Sequence, residues 1–226
     1  MNPMNFIFPE HVSILLKRLG IVAFMLFITR LIFFGFNFES FSNISLYDFG
    51  LAIWFDWITI GLFFIPYYLL FLLPIPIRGY KYHRTFFKVL FHVTNGLLIG
   101  LNLMDVEYFK YTSKRSTYDL FSMFSTGNDF SQLISTFIKD FWFLFIFFFL
   151  LIVLSEFLYR KTQNLLNTFN NKPKLFYRKN IIAFFIFGSI LFIIGRGGFN
   201  LKPTGIIEAS IYTKGKNTAF VLTTPF

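Results

Sequence analysis

The residues best placed to do chemistry in this sequence are charged side chains that lie where charge is expensive. Arg30 falls inside one long apolar run and Asp56 inside the next. An ionisable residue within a membrane-spanning helix costs roughly 2.5–3.5 kcal/mol on insertion scales, so each needs a reason. At a rise of about 1.5 Å per residue the two lie at nearly matching depths below the outer ends of their runs. That predicts an Arg30–Asp56 ion pair between neighbouring antiparallel helices. Such a pair either fixes helix register or helps to hold a lipid headgroup or substrate.

A third apolar run carries Asn95, Asn102 and Asp105 on one helical face. Polar residues on one face of a span usually bind neighbouring helices. At the outer end of this run, Asp105, Glu107, Lys114 and Arg115 can join Arg196 in a charged ring. That ring suits a phospholipid headgroup through charge-assisted hydrogen bonds, and it equally suits contact with a soluble domain. Glu156 lies one turn from Arg160 and reads as an i,i+4 surface pair.

Bond-making chemistry is not visible. His11, His83 and His92 are scattered, without a carboxylate or second His at ligand spacing. No Walker loop, GxGxxG or G-x-S-x-G occurs, and Thr223 and Thr224 have no sequence-adjacent base. The absence of cysteine removes disulfides and thiolate metal sites. No catalytic, cofactor-binding or metal-ligating residue is assigned.

The elements that must position these residues are set by composition. Of 226 residues 55% are hydrophobic, only 14% are charged and 38 are Phe. A soluble fold of this size cannot hide that much aromatic surface, whereas lipid is itself the apolar solvent. The net charge of +10 would suggest nucleic acid in a soluble protein. Here the basic residues flank apolar runs, which is the signature of membrane topology and suits anionic lipid headgroups. Nucleic acid is not an expected partner. Lys17 and Arg18 precede an apolar stretch, but no small-x-small cleavage site follows, so the segment reads as a retained span rather than a signal peptide.

Five spans are predicted, at about 19–36, 46–73, 85–104, 141–159 and 181–195. Pro66 interrupts the second, and the fifth is short for a bilayer that needs about 20 residues. The loops carrying Lys17 and Arg18, then Arg78 to Lys88, then Arg160 to Lys179, are basic and belong in the cytoplasm. The first loop has no Lys or Arg, and the long third loop mixes signs, so both belong outside. Within that third loop Phe130, Leu133, Ile134, Phe137 and Ile138 make an amphipathic stripe, and Leu120, Phe121 and Phe124 a shorter one. The stripes read either as two short helices lying in the outer interface or as helices packed on the five-helix bundle. The predicted fold is therefore an all-α membrane protein. Five transmembrane helices fill residues 1–196, two short interfacial helices lie between the third and fourth, and residues 197–226 form an extracytoplasmic linker. The N-terminus is cytoplasmic and the C-terminus extracytoplasmic.

Several segments together resemble a family. Asp105-Val-Glu-Tyr-Phe109, Lys114-Arg-Ser-Thr-Tyr-Asp-Leu-Phe121, Asp129-Phe130 and Lys139-Asp140 resemble the outer loop of bacterial lipoteichoic acid synthase-like transferases of the sulfatase fold. Arg196-Gly-Gly198, Leu201-Lys-Pro203, Tyr212, Asn217 and Thr224-Pro-Phe226 resemble their linker. The resemblance implies a bacterial plasma-membrane location and an extracytoplasmic catalytic domain of the alkaline phosphatase superfamily after the linker. It implies a Thr nucleophile and a divalent metal such as Mn²⁺ in that domain. Phosphoglycerol or phosphoethanolamine transfer, or cleavage of sulfate or phosphate esters, would be the chemistry. The sequence stops at Phe226, so no catalytic residue transfers to it, and the chain is expected to be a membrane-anchoring fragment without activity by itself. Its partners would be membrane lipids and its own catalytic domain. The alternative is a self-sufficient small polytopic membrane protein, such as a transporter subunit or assembly factor.

Overall fold

The structure is a computed structural model that describes residues 10–41, 43–74, 81–115, 139–166, 173–200, 202–215 and 217–224, without the side chains of residue 10 and residues 164–178. Among the described residues every regular element is helical. In chain order they are α1 (Glu10–Phe36), α2 (Leu46–Phe63), α3 (Ile65–Leu72), α4 (Lys81–Thr112), α5 (Trp142–Leu166) and α6 (Pro173–Gly195). The tail carries two short helices, α7 (Ile206–Tyr212) and α8 (Thr218–Val221), and a 3-10 turn at Phe38–Ser40 follows α1.

Among the described residues, four stretches are long and apolar enough to cross a bilayer: His11–Phe36, Leu46–Phe63, Lys81–Thr112 and Trp142–Gln163. The apolar part of α6, Lys179–Gly195, is shorter. Lipid offers no hydrogen bonds to the backbone, so an apolar run there must satisfy its own N–H and C=O groups as a helix. α1 begins well before the apolar run that marks it in the sequence. This is possible because the basic pair splits, with Lys17 exposed and Arg18 turned inward. α2 and α3 are separated at Phe64, where φ is −92° and ψ is 10°. Pro66 stands in the first turn of α3, where its missing N–H leaves no bond unmade. The amphipathic stripes at 120–124 and 130–138 lie outside the described residues.

The chain divides into two compact units. The first comprises Met1–Phe24, Trp57–Asn95 and Ser155–Thr204. Its interior is aromatic: Tyr67 stacks on Phe71 at 5.9 Å and meets Phe87 and Phe91 edge-on. α2 and α6 approach so closely that a Cβ on Gly61 would lie 2.4 Å from the Gly195 Cα. Small residues allow this kind of contact between membrane helices, where no hydrophobic force distinguishes helix from lipid. α6 ends in a Schellman turn: Gly197 (φ +80°) and Gly198 (φ +121°) donate to the carbonyls of Ile194 and Ile193 at 2.8 and 3.0 Å.

The second unit comprises Met25–Asp56, Gly96–Leu154 and Gly205–Phe226. Phe33, Val106, Phe109 and Leu144 form its apolar core, with Phe41 and Ala219 against it. Asn37 closes α1 by donating its side-chain amide to the carbonyls of Phe33 and Val106. Ser45 and Asp48 start α2 with a reciprocal capping box: the Ser45 N–H donates to Asp48 Oδ2 at 2.9 Å, and the Asp48 N–H donates to Ser45 Oγ at 3.2 Å.

Candidate functional site

The second unit contains a polar cluster built on two arginines and two aspartates. Arg30 projects from α1 and is 2% exposed. Its Nη2 lies 2.5 Å from Asp56 Oδ1 on α2 and also donates to the Ala52 carbonyl. That ion pair is only part of what Arg30 holds. Nη1 donates to the carbonyls of Phe220, Val221 and Leu222, the latter two at 3.1 Å. Nη2 further donates to Thr223 Oγ1 at 2.7 Å.

Arg115, just past the end of α4, does the same on the other side of the tail. Its Nε donates to the Ala219 carbonyl at 2.6 Å, and Nη1 donates to Asn102 Oδ1 and Asp105 Oδ2 at 3.0 and 3.1 Å. The guanidinium carbon stands 4.1 Å from the centre of the Phe33 ring, a cation–π contact strengthened by exclusion of water. Burial pushes the Arg115 pKa down to about 10, against the pull of the Asp105 carboxylate. The group therefore stays charged at neutral pH.

Residues 217–224 are the segment so held. Phe220, Val221, Leu222, Thr223 and Thr224 are all buried. Thr223 donates its hydroxyl to Asp56 Oδ1 at 2.5 Å, and Thr224 donates to Asp105. Asn102 donates to the Thr224 carbonyl at 3.2 Å, and Asn217 donates to the capping carboxylate of Asp48 at 3.2 Å. The Phe220 ring sits edge-on among Phe34, Phe41 and Phe49, with centroids 5.6, 6.0 and 5.0 Å away.

The two guanidinium groups are met by the carboxylates of Asp56 and Asp105 and by dipoles of the tail. Carbonyls and hydroxyls from the tail supply those dipoles. Each Thr hydroxyl touches a carboxylate, which sequence adjacency did not show. Each carboxylate is already bonded to an arginine, and both hydroxyls are almost fully buried. The arrangement thus holds structure.

Glu107 pairs with Lys110 of its own helix at 2.6 Å. Lys114 is exposed. Arg196 belongs to the first unit, where its Nη2 donates to the Asn200 carbonyl at 3.2 Å. Asp105 and Arg115, two residues of the expected ring, are joined directly.

The first unit has two polar clusters of its own. Arg18, 1% exposed, donates to Tyr67 Oη at 2.9 Å and Thr162 Oγ1 at 3.2 Å, and lies 4.3 Å from the Tyr159 ring centre. Glu156 collects Lys88 and Arg160, each at 2.6 Å, and His92 Nε2 at 2.8 Å. Sequence spacing gave His92 no carboxylate because Glu156 reaches it from a different helix. Asn95 donates to Ser155 Oγ at 2.9 Å, joining α4 to α5.

Among the described residues, no three His, Asp or Glu side chains gather where a metal ion could be held. No protein-family model, curated protein or solved structure matches the chain.

Proposed function

We propose that this chain is the membrane-anchoring region of a sulfatase-fold transferase or hydrolase acting at the outer face of the bacterial plasma membrane. The observation that carries the reading is a coincidence of residues. Asp105, Arg115, Asn217 and Thr224 belong to the segments that resemble the lipoteichoic acid synthase-like family, and they are the residues that seat the tail against α4 and α2. A region whose task is to deliver a downstream domain needs its exit segment held in place.

In this reading α6 is the fifth span, despite its short apolar length. Lys179 and Arg196 at the two ends of that apolar part reach towards the headgroups. The N-terminus lies in the cytoplasm and residues 197–226 lie outside. The Thr nucleophile and its divalent metal belong to a domain that would follow Phe226. Anchoring matters to such an enzyme because confining it and a lipid substrate to one surface raises their effective concentration.

The test is to read the coding sequence beyond Phe226. A sulfatase-type domain, in frame or one frameshift away, supports the reading. A stop codon with no such sequence behind it in any frame overturns it.

A further inference from the structure

We propose that residues 217–224 are a clamped exit strap, gripped through the backbone so that whatever polypeptide follows Thr224 leaves from a fixed place. This deepens the anchoring role and rests on that reading for its purpose, though the grip itself rests on geometry alone.

The cleft between α1, α2 and α4 binds backbone. Arg115 takes the carbonyl of Ala219, Arg30 takes those of Phe220, Val221 and Leu222, and Asn102 takes that of Thr224. A carbonyl exists at every residue, so these contacts fix a path for the chain rather than a particular sequence. Three side chains then set its register: the Phe220 ring in its aromatic nest, and the hydroxyls of Thr223 and Thr224 on Asp56 and Asp105. Each arginine has an aspartate beside it, Asp56 or Asp105, and a third carboxylate, Asp48, takes Asn217, so the occupant these groups suit is neutral and rich in dipoles. A peptide backbone meets that demand, whereas an anionic headgroup would displace a carboxylate that is already in place.

The segment ahead of the strap is also fixed. α7 ends where Lys214 (φ +52°) and Gly215 (φ +76°) turn the chain, and the Gly215 N–H donates to the Ser210 carbonyl at 2.9 Å. The hydroxyls of Thr213 and Thr218 are 2.8 Å apart and bridge that turn. Together these contacts make the strap a seated element and not a tether of free length.

The test uses the full chain in lipid nanodiscs and exploits the lack of cysteine. Val221→Cys places one thiol at a fully buried strap position, and Ile211→Cys places one at an exposed position on α7. If opening of the strap limits access, Val221→Cys labels with a soluble maleimide about 100-fold more slowly than Ile211→Cys. Adding Thr223→Val and Thr224→Val, which leaves every helix of the cleft untouched, accelerates labelling at position 221. A compact fluorescent domain fused after Phe226 shows restricted rotation in the parent chain and free rotation with the two Thr→Val changes.

Equal labelling at 221 and 211 overturns the grip. Protection at 221 with a freely rotating fusion in the parent chain overturns the fixed exit. Neither result depends on a sulfatase domain being encoded downstream, so failure of the anchoring reading and failure of the strap are separable.

Discussion

Arg30 and Thr223 are 193 positions apart in the chain, yet Arg30 Nη2 lies 2.7 Å from Thr223 Oγ1, with Asp56 Oδ1 accepting from both. A buried guanidinium, a buried carboxylate and a buried hydroxyl thus form one closed hydrogen-bonded triangle. The tail residue is as much a partner of Arg30 as the aspartate is. Removing either charged member leaves the other's charge buried without its partner.

That triangle predicts a strongly non-additive pair of substitutions. Arg30→Met leaves Asp56 charged and buried, and Asp56→Leu leaves Arg30 likewise, each at a cost of about 3–5 kcal/mol. The double variant removes both charges and is expected to be less destabilised than the two single losses added together. Equilibrium unfolding of the four proteins in detergent measures the coupling. Additive losses would show that the two side chains do not act as a pair.

Phe220 anchors the strap among three rings. Phe220→Ala is expected to cost about 3–5 kcal/mol, the usual range for emptying a buried aromatic site. Ile207→Ala on α7 removes an exposed side chain and is expected to change stability by no more than about 0.5 kcal/mol. Thermal melting of both in the same detergent decides the matter, and equal melting temperatures would contradict a buried Phe220.

Close approach of α2 and α6 makes Gly61 and Gly195 sensitive. A Cβ on Gly195 would stand 2.6 Å from the carbonyl carbon of Gly61, so backbone must move to admit it. Gly61→Ala and Gly195→Ala are each expected to cost about 1–3 kcal/mol by overpacking. Gly20→Ala meets nothing within 4 Å on its helix and is expected to gain about 0.5–1 kcal/mol from helix propensity. Unfolding of the three single variants checks the order, and a neutral Gly61→Ala would mean the helices are further apart than described.

Arg18 tests whether geometry or charge matters in the first unit. Its fork spans Tyr67 and Thr162 while its plane covers the Tyr159 ring. Lysine keeps the charge but has neither the fork nor the plane. Arg18→Lys is therefore expected to lower the unfolding midpoint clearly, whereas Lys17→Arg, one position away and exposed, leaves it in place. Identical midpoints would show that charge alone suffices at position 18.

Much of the helical architecture was legible because lipid imposes a simple code: long apolar runs become helices, and basic residues mark where they stop. Arg30 and Asp56 stood out for the same reason, as charges inside such runs. The destination of the tail was not legible. Ala219 to Leu222 read only as a weakly apolar stretch, and the groups by which it is held are its own backbone carbonyls, which every residue possesses. No side-chain pattern can announce that Arg30 will capture three of them. His92 was likewise illegible, since its carboxylate lies on another helix, 64 positions away (156 − 92). Glu107 pairs with Lys110 three residues on, a local partner that the sequence reading did not single out. Asp105 and Arg115 met because the chain turns back at Ser113, where φ is +54°.

The central claim is that the tail is seated inside the second unit by Arg30 and Arg115. Hydrogen–deuterium exchange of the full chain in nanodiscs tests it most directly, at the amides of residues 219–222. Seating predicts exchange orders of magnitude slower than at the exposed residues 199–200, and acceleration in Arg115→Gln. Exchange of 219–222 as fast as at 199–200 in the unsubstituted chain would contradict the claim.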